Sequence, residues 1–209
     1  MLAGILLAAG ESKRMEGAFK PLLKWGTRTV AAECVNQLSK SKLDEIFVVL
    51  GHRASEVRQR LAGTGMQYVI NESFQQGMFS SVKLGWSQIS SSTDAVLIAL
   101  VDQPMVTTAI INQVIDAYRG QSEKRIAIPT YSGKQGHPIV MSRDFEEELM
   151  AMANDTPYGL KALLERHRDD ILAVEVDSPA ILEDIDRPAD YERLSKAAEP
   201  HYAFRKWNP

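Results

Sequence analysis

The chain has 209 residues, 44% of them hydrophobic and 24% charged, with a formal net charge of -3 and a pI near 5.8. That length favours one large domain with a real core, and the acidic balance argues against a general nucleic-acid binder, which would carry a basic face. A single cysteine, Cys34, excludes an intrachain disulfide and a Cys-based zinc site, and no run approaches the roughly 20 apolar residues of a membrane helix.

Taken in chain order, the first element is an apolar strand, Ile5–Ala8, which breaks at Gly10 into a turn carrying Ser12, Lys13 and Arg14. The start lacks the basic leader of a secretory signal, so the cytoplasm is the expected compartment. Val30, Cys34, Val35 and Leu38 then recur at helical spacing, with Cys34 as a packing thiol. A strand at Ile46–Leu50 precedes a short helical stripe, Val57 and Leu61, behind a cap at Ser55. After a strand at Tyr68–Ile70, a third helix (Val82, Gly85, Trp86, Ile89) is entered through Ser80 and Ser81. The strand Ala95–Val101 leads to a helix carrying Ile110, Ile111, Val114, Ile115 and Tyr118 behind Thr107 or Thr108. Ile126–Ile128 is the next strand, followed by a polar loop at 129–138 and a strand at Ile139–Met141. A helical stretch from about Asp144 to His167 breaks near Pro157, Ala173–Val176 is the last strand, and Pro188 starts the last helix. There is no internal repeat. The final stretch, 196–209, changes composition, with two prolines, three aromatics (Tyr202, Phe204, Trp207) and three cations; it packs on the domain or on a partner, or is partly disordered. Near-continuous apolar strands alternating with helices predict a three-layer α/β fold with a mostly parallel central sheet covered on both faces.

In such a sheet, ligands bind beyond the carboxyl ends of the strands. The loop at 8–20 is neither a Walker loop, because six residues separate Gly10 from Gly17, nor a dinucleotide fingerprint. It keeps the physics of both. Ala9 and Gly10 admit a ligand close to the backbone, successive N–H groups can form an anion nest, Arg14 offers a planar fork, and Lys20 a compact charge. A solvated basic turn is the plainer alternative. In "VDQP", Asp102 ends an apolar strand, and a carboxylate there is costly unless paired or metal-bound. Mg²⁺ is its natural partner, and capping of the next helix is the competing role, for which Thr107 and Thr108 lie nearer. Asp184 and Asp186 flank Ile185, so in an extended segment one faces a site while the other faces away; either could instead cap the helix begun by Pro188. His137, framed by Gly136 and Pro138, reads as the wall of a shaped pocket, and Gly77, Ser80 and Ser81 as a donor-rich helix start.

The ordered set "LLAAGESKRM", "KPLLKWG", "VVLGHR", "NESFQQGMFSSVKLG", "VDQP", "GHPIVMS" and "DIDRPADY" resembles the MobA-like nucleotidyltransferases, most closely the molybdenum cofactor cytidylyltransferases, over about residues 3 to 191. The resemblance implies a Rossmann-like nucleotidyltransferase domain at 1–195, followed by the 196–209 tail, and an enzyme that moves NMP from an NTP to a phosphorylated acceptor with release of pyrophosphate. It implies that Leu7, Ala8, Ala9, Gly10, Ser12 and Arg14, with Lys20, hold the nucleotide, and that Arg14, Lys20 and Asp102 serve catalysis. Asp102 and Asp186 would hold Mg²⁺, and Gly77, Ser80, Ser81 and His137 would line the acceptor pocket. The start Leu7-Ala8-Ala9-Gly10 resembles the cytidylyl branch, whose methyl at position 9 would narrow the base pocket. The expected partners are therefore CTP and molybdopterin, with a molybdoenzyme client as a further candidate and neither nucleic acid nor membrane. A sugar or polyol phosphate is the alternative acceptor, and a non-catalytic cofactor carrier the alternative role. Two departures stand out: Glu16 and Gly17 make the basic loop one residue longer than is usual in the family, and Lys161 stands where many relatives carry arginine.

Overall fold

The computed structural model describes residues 1–198. Ten strands form in order: β1 (Leu2–Ala8), β2 (Lys24–Trp25), β3 (Arg28–Thr29), β4 (Glu45–Leu50), β5 (Gln67–Ile70), β6 (Ala95–Leu100), β7 (Ile126–Tyr131), β8 (Lys134–Gln135), β9 (Ile139–Ser142) and β10 (Ile171–Glu175). The helices are α1 (Val30–Ser39), α2 (Ala54–Arg60), α3 (Met78–Trp86), α4 (Thr108–Arg119), α5 (Glu146–Ala151), α6 (Leu160–Arg166) and α7 (Pro188–Ala198). The central sheet runs β10-β7-β9-β6-β1-β4-β5, with β8 paired to β7. Only β8 and β9 run antiparallel to their neighbours in it. The fold is thus the mostly parallel α/β sheet that the alternating pattern predicts.

Period-2 alternation sorts the side chains of each strand into two layers. Leu2, Leu6 and Ala8 of β1 join Val48, Leu97 and the α1 and α4 stripes in one core, where Cys34 is also buried. Ala3, Ile5 and Leu7 join Val49, Ile98 and the stripes of α3 and α6 in the other. The chain leaves β1 for β4 and β5 on one side and returns through β6 on the other, so β1 and β6 straddle the point where strand order reverses. Crevices in open α/β sheets form there.

Several local expectations change. Helix α2 starts behind Arg53 in a left-handed conformation (φ 51°), whose guanidinium binds Glu56 of the first turn, and Ser55 lies inside the helix. Helix α3 begins at Met78 behind Gly77, so Ser80 and Ser81 also lie within it. The polar loop at 129–138 is in part a hairpin: Ser132 and Gly133 both take positive φ, the geometry of a tight primed turn, and fold β8 back on β7. The short hairpin β2–β3 carries no periodic signal at two residues per strand. Residues 196–198 complete α7, while 199–209, with Tyr202, Phe204 and Trp207, lie outside the described residues.

A third, smaller core decides where the basic loop sits. Met15, Trp25, Val30, Ile185, Leu194 and Ala198 pack together, each almost wholly buried. Met15 follows Arg14 and Ile185 precedes Asp186, so burying these two apolar residues in one cluster carries their polar neighbours to the same place. Met15→Ala is expected to cost about 2–5 kcal/mol by leaving a cavity in this core, read as a lowered urea midpoint with an unchanged slope.

Candidate functional site

Three chain segments meet at the carboxyl end of β1. The first is the basic loop. Ser12 takes a left-handed conformation (φ 58°), and its hydroxyl accepts a hydrogen bond from the Lys20 backbone N–H at 3.1 Å. Glu16 and Gly17 both take positive φ, and Glu16 is exposed. The second segment is the end of β6: Val101 N–H donates to the Leu7 carbonyl, leaving Asp102 just beyond the strand. Thr107, not Asp102, caps the following helix α4. The third is 184–186, tied down by Ile185 N–H donating to the Asp102 carbonyl at 2.9 Å.

Lys20 joins all three. Its ammonium is nearly buried and donates to Asp102 Oδ2 at 3.1 Å and to Asp186 Oδ1 at 2.8 Å. Arg14, much more exposed, also donates to Asp186 Oδ1 at 2.8 Å. Burial disfavours ionisation of Asp186, but Lys20 and Arg14 outweigh it and hold the carboxyl below its ordinary range. Asp184 faces the other way and accepts from Gln103 Nε2 at 2.8 Å. Burial, then the charge of Asp102, pushes its carboxyl upward. The alternation read from the sequence thus separates two aspartates with opposite environments. Among the described residues no group of three or more His, Cys, Asp or Glu side chains converges as a ready-made metal cage.

Two adjoining cavities lie beside this cluster; only the smaller is lined by Arg14, Lys20 and Asp102, and Asp186 lines neither. The smaller, about 430 Å³, is lined by Ala9, Gly10, Ser12, Arg14, Lys20 and Asp102, with Ser81, Phe74 and Gln75 opposite. The larger, about 1060 Å³, is lined by His137, Ile98, Ile128, Ile139 and the segment around Tyr158. Leu7, Gly77, Met78 and Leu100 belong to both walls. The sequence did not single out Phe74, Gln75 or Met78; their only signal is proximity to Gly77, the turn at which α3 starts.

Not every predicted residue reaches a cavity. Ala8 points into the opposite core layer, as its place one residue from Leu7 requires. Ser80 is buried, accepts from Asn71 Nδ2 at 2.9 Å and donates to the Gly77 carbonyl at 2.7 Å; it braces the turn and lines neither cavity. Ser81, also held by Asn71, lines the smaller cavity and not the larger. The Ala9 methyl faces Gly51, where an added Cβ would lie 2.8 Å from it, so its contact with that neighbour limits what it can do to a base. His137 is placed by backbone contact: its N–H donates to the Ile181 carbonyl, and a side chain at Gly136 would collide with that same oxygen.

The sequence is similar to known proteins over this whole framework. Residues 4–172 match the family model of the MobA-like NTP transferase domain. The molybdenum cofactor cytidylyltransferase of Escherichia coli K12 is 27% identical over 188 residues, covering 90% of this chain and 92% of that protein. The nicotine blue oxidoreductase of Paenarthrobacter nicotinovorans is 29% identical over 147 residues, 67% of this chain and 70% of the relative. Rv0371c of Mycobacterium tuberculosis H37Rv, in a crystal structure with manganese, superposes with a TM-score of 0.77 at 27% identity, covering 94% of this chain and 98% of its own. No helix among the described residues is long and apolar enough to cross a membrane.

Burial pushes the His137 imidazole down to about 4, against the opposing pull of the Asp102 carboxylate, so at neutral pH it presents an uncharged wall. The unfolded chain takes up this proton near 6.5, so stability is intact above that value and falls as pH drops from 6.5 towards 4. The expected loss is up to about 3 kcal/mol at 1.36 kcal/mol per pKa unit. Urea midpoints followed from pH 7 to 4 should fall more steeply for the natural protein than for His137→Phe; parallel curves would mean a solvated imidazole.

Proposed function

The chain belongs to the MobA-like NTP transferase family, and on that premise we propose that it transfers CMP from CTP to the terminal phosphate of molybdopterin, releasing pyrophosphate with Mg²⁺. The observation that carries this reading is the Lys20 ammonium held by Asp102 and Asp186 at the edge of the cavity framed by residues 9–14. The likeness to the molybdenum cofactor cytidylyltransferase over nine-tenths of the chain supports the choice of nucleotide and acceptor. The oxidoreductase relative shows that the scaffold is found in proteins of another named activity; a buried cation between two carboxylates beside a backbone-rich loop suits phosphate chemistry.

The donor set fits a divalent ion. Asp102 and Asp186 are hard oxygen ligands from separate elements that already converge on one cation, and Lys20 and Arg14 balance their two negative charges. A triphosphate that drew those two cations to itself would leave the two carboxylates uncompensated, a charge pattern that would suit a divalent cation. Asp102 and Asp186 would hold the ion, which when bound supplies polarisation of phosphate oxygens and charge neutralisation.

The rest is positioning by this chain's residues. An oxygen of the acceptor phosphate attacks the α-phosphorus in line; the new P–O bond forms as the bond to the β-phosphate oxygen breaks, and its electron pair leaves with pyrophosphate. The backbone of Ala9, Gly10 and Ser12 receives the phosphates, and Lys20, fixed through its own backbone by Ser12, meets the charge growing on them. Arg14, paired with Asp186 and the more exposed of the two cations, meets the charge on the leaving group. The acceptor sits in the larger cavity against the neutral His137, with Gly77 and Met78 as the partition between the two substrates.

Asp102→Ala is expected to abolish Mg²⁺-dependent pyrophosphate release from CTP with molybdopterin, and Lys20→Ala to lower kcat about 10²–10³-fold; normal turnover in Asp102→Ala would refute the assignment. In thermal unfolding, CTP with Mg²⁺ at 100 times its Kd should add about 2.7 kcal/mol of stability, and GTP much less. An equal response to both nucleotides would remove the cytidylyl reading while leaving the transferase.

A further inference from the structure

We propose that Tyr158 is the specificity-determining residue of the larger cavity, its ring stacking on the flat heteroaromatic body of a phosphorylated acceptor. This rests on the reading above that the acceptor occupies that cavity. Tyr158 lines it yet is 83% exposed, the most open large apolar residue among those described. Its hydroxyl has no hydrogen-bond partner among the described residues; the residue is held through its backbone, whose carbonyl accepts from the Lys161 N–H at 3.0 Å.

That position is nonetheless held with care. Tyr158 takes φ 64°, a left-handed conformation that residues with a β-carbon rarely adopt. The next residue, Gly159, also has positive φ (φ 48°, ψ -122°) and lies so close to α3 that an added Cβ would come 2.9 Å from Phe79 Cβ. The segment before it is fastened at both ends: Lys83 Nζ donates to the Met152 carbonyl, Asn154 Nδ2 donates to Gln76 Oε1 at 2.8 Å, and Gly159 N–H donates to the Thr156 carbonyl at 2.9 Å. Backbone strain fixed by surrounding contacts marks functional positions. The ring is therefore presented by a fastened turn, and its exposure is not that of a loose loop.

The floor of the cavity says what the ring would meet. Ile98, Ile128 and Ile139, from three adjacent strands, close the floor but are almost wholly buried, so the wall a ligand meets also includes polar side chains, Gln76, Gln135, Asn154 and Lys161 among them. A planar heteroaromatic body can hydrogen-bond to such groups along its edge while its face stacks on the Tyr158 ring. The shared partition at Leu7, Gly77 and Leu100 lets a phosphate on such a body reach the smaller cavity.

The test measures direct binding of two probes, 6-hydroxymethylpterin phosphate and erythritol phosphate, in the presence of CTP and Mg²⁺, to the natural protein and to Tyr158→Ala, Tyr158→Leu, Tyr158→Phe and Tyr158→Trp. The expected result is that the pterin phosphate binds more tightly than the polyol. Ala and Leu weaken it about tenfold, equivalent to ~1.4 kcal/mol; Phe and Trp keep it, and affinity for CTP stays unchanged throughout. The proposal is overturned if the natural protein does not bind the pterin probe, if Ala and Leu bind it as the natural protein does, or if they weaken the polyol equally. CMP transfer is scored separately with the same proteins: absence of transfer alongside an intact Tyr158 effect would refute the proposed reaction and not the stacking role.

Discussion

A single ammonium group organises the site. Lys20 Nζ lies nearly out of water between two carboxylates that are 82 and 166 residues away along the chain. Burying any one of these charges alone would be costly, and deleting one partner of a buried pair leaves the other uncompensated. The three segments that carry them consequently stay in register with one another: the basic loop through Ser12, the end of β6 through the Leu7 carbonyl, and the 184–186 segment through the Asp102 carbonyl. Its two cations, Lys20 and Arg14, and its two carboxylates, Asp102 and Asp186, balance one another in charge.

The apolar scaffold makes that cluster possible. Both faces of β1 and β6 are covered by helices, so their polar continuations are expelled to the sheet's carboxyl edge, beside the reversal of strand order. The small core around Trp25 does the finer placement, because Met15 and Ile185 can be buried together only if Arg14 and Asp186 stand side by side. Apolar contacts, which are non-directional, thereby set the distance of a directional ion pair.

This explains what was legible in the sequence. The seven longer strands were readable within a residue or a few at each end because they are apolar runs, most of them buried along their length and only β5 and β10, at the sheet's edges, buried in part. Of the two cap candidates, Thr107 and Thr108, the structure uses Thr107. Lys20, Asp102 and Asp186 stood out as charges abutting apolar segments; that one ammonium would span both carboxylates did not, since long-range distance leaves no local mark. Ser80 misled because a hydroxyl at a helix start looks the same whether it faces a ligand or, as here, a buried asparagine. Ala8 was included by adjacency, although period-2 alternation places it behind the sheet. The hairpin β7–β8 was hidden because its turn residues, Ser132 and Gly133, read equally well as loop.

The two cavities divide the protein into parts under different constraints. The smaller is built from the ends of β1 and β6 and from backbone groups of the basic loop, so its shape is tied to the sheet itself and to the Lys20 cluster. The larger borrows its floor from the sheet but its rim from the α5–α6 connection, where the chain is irregular. Substitution at the exposed part of that rim can therefore reshape the larger cavity while leaving the Lys20 cluster in place. Relatives named as a molybdenum cofactor cytidylyltransferase and as a nicotine blue oxidoreductase match this chain at similar identity, as expected if the sheet fixes the frame and the rim selects the occupant.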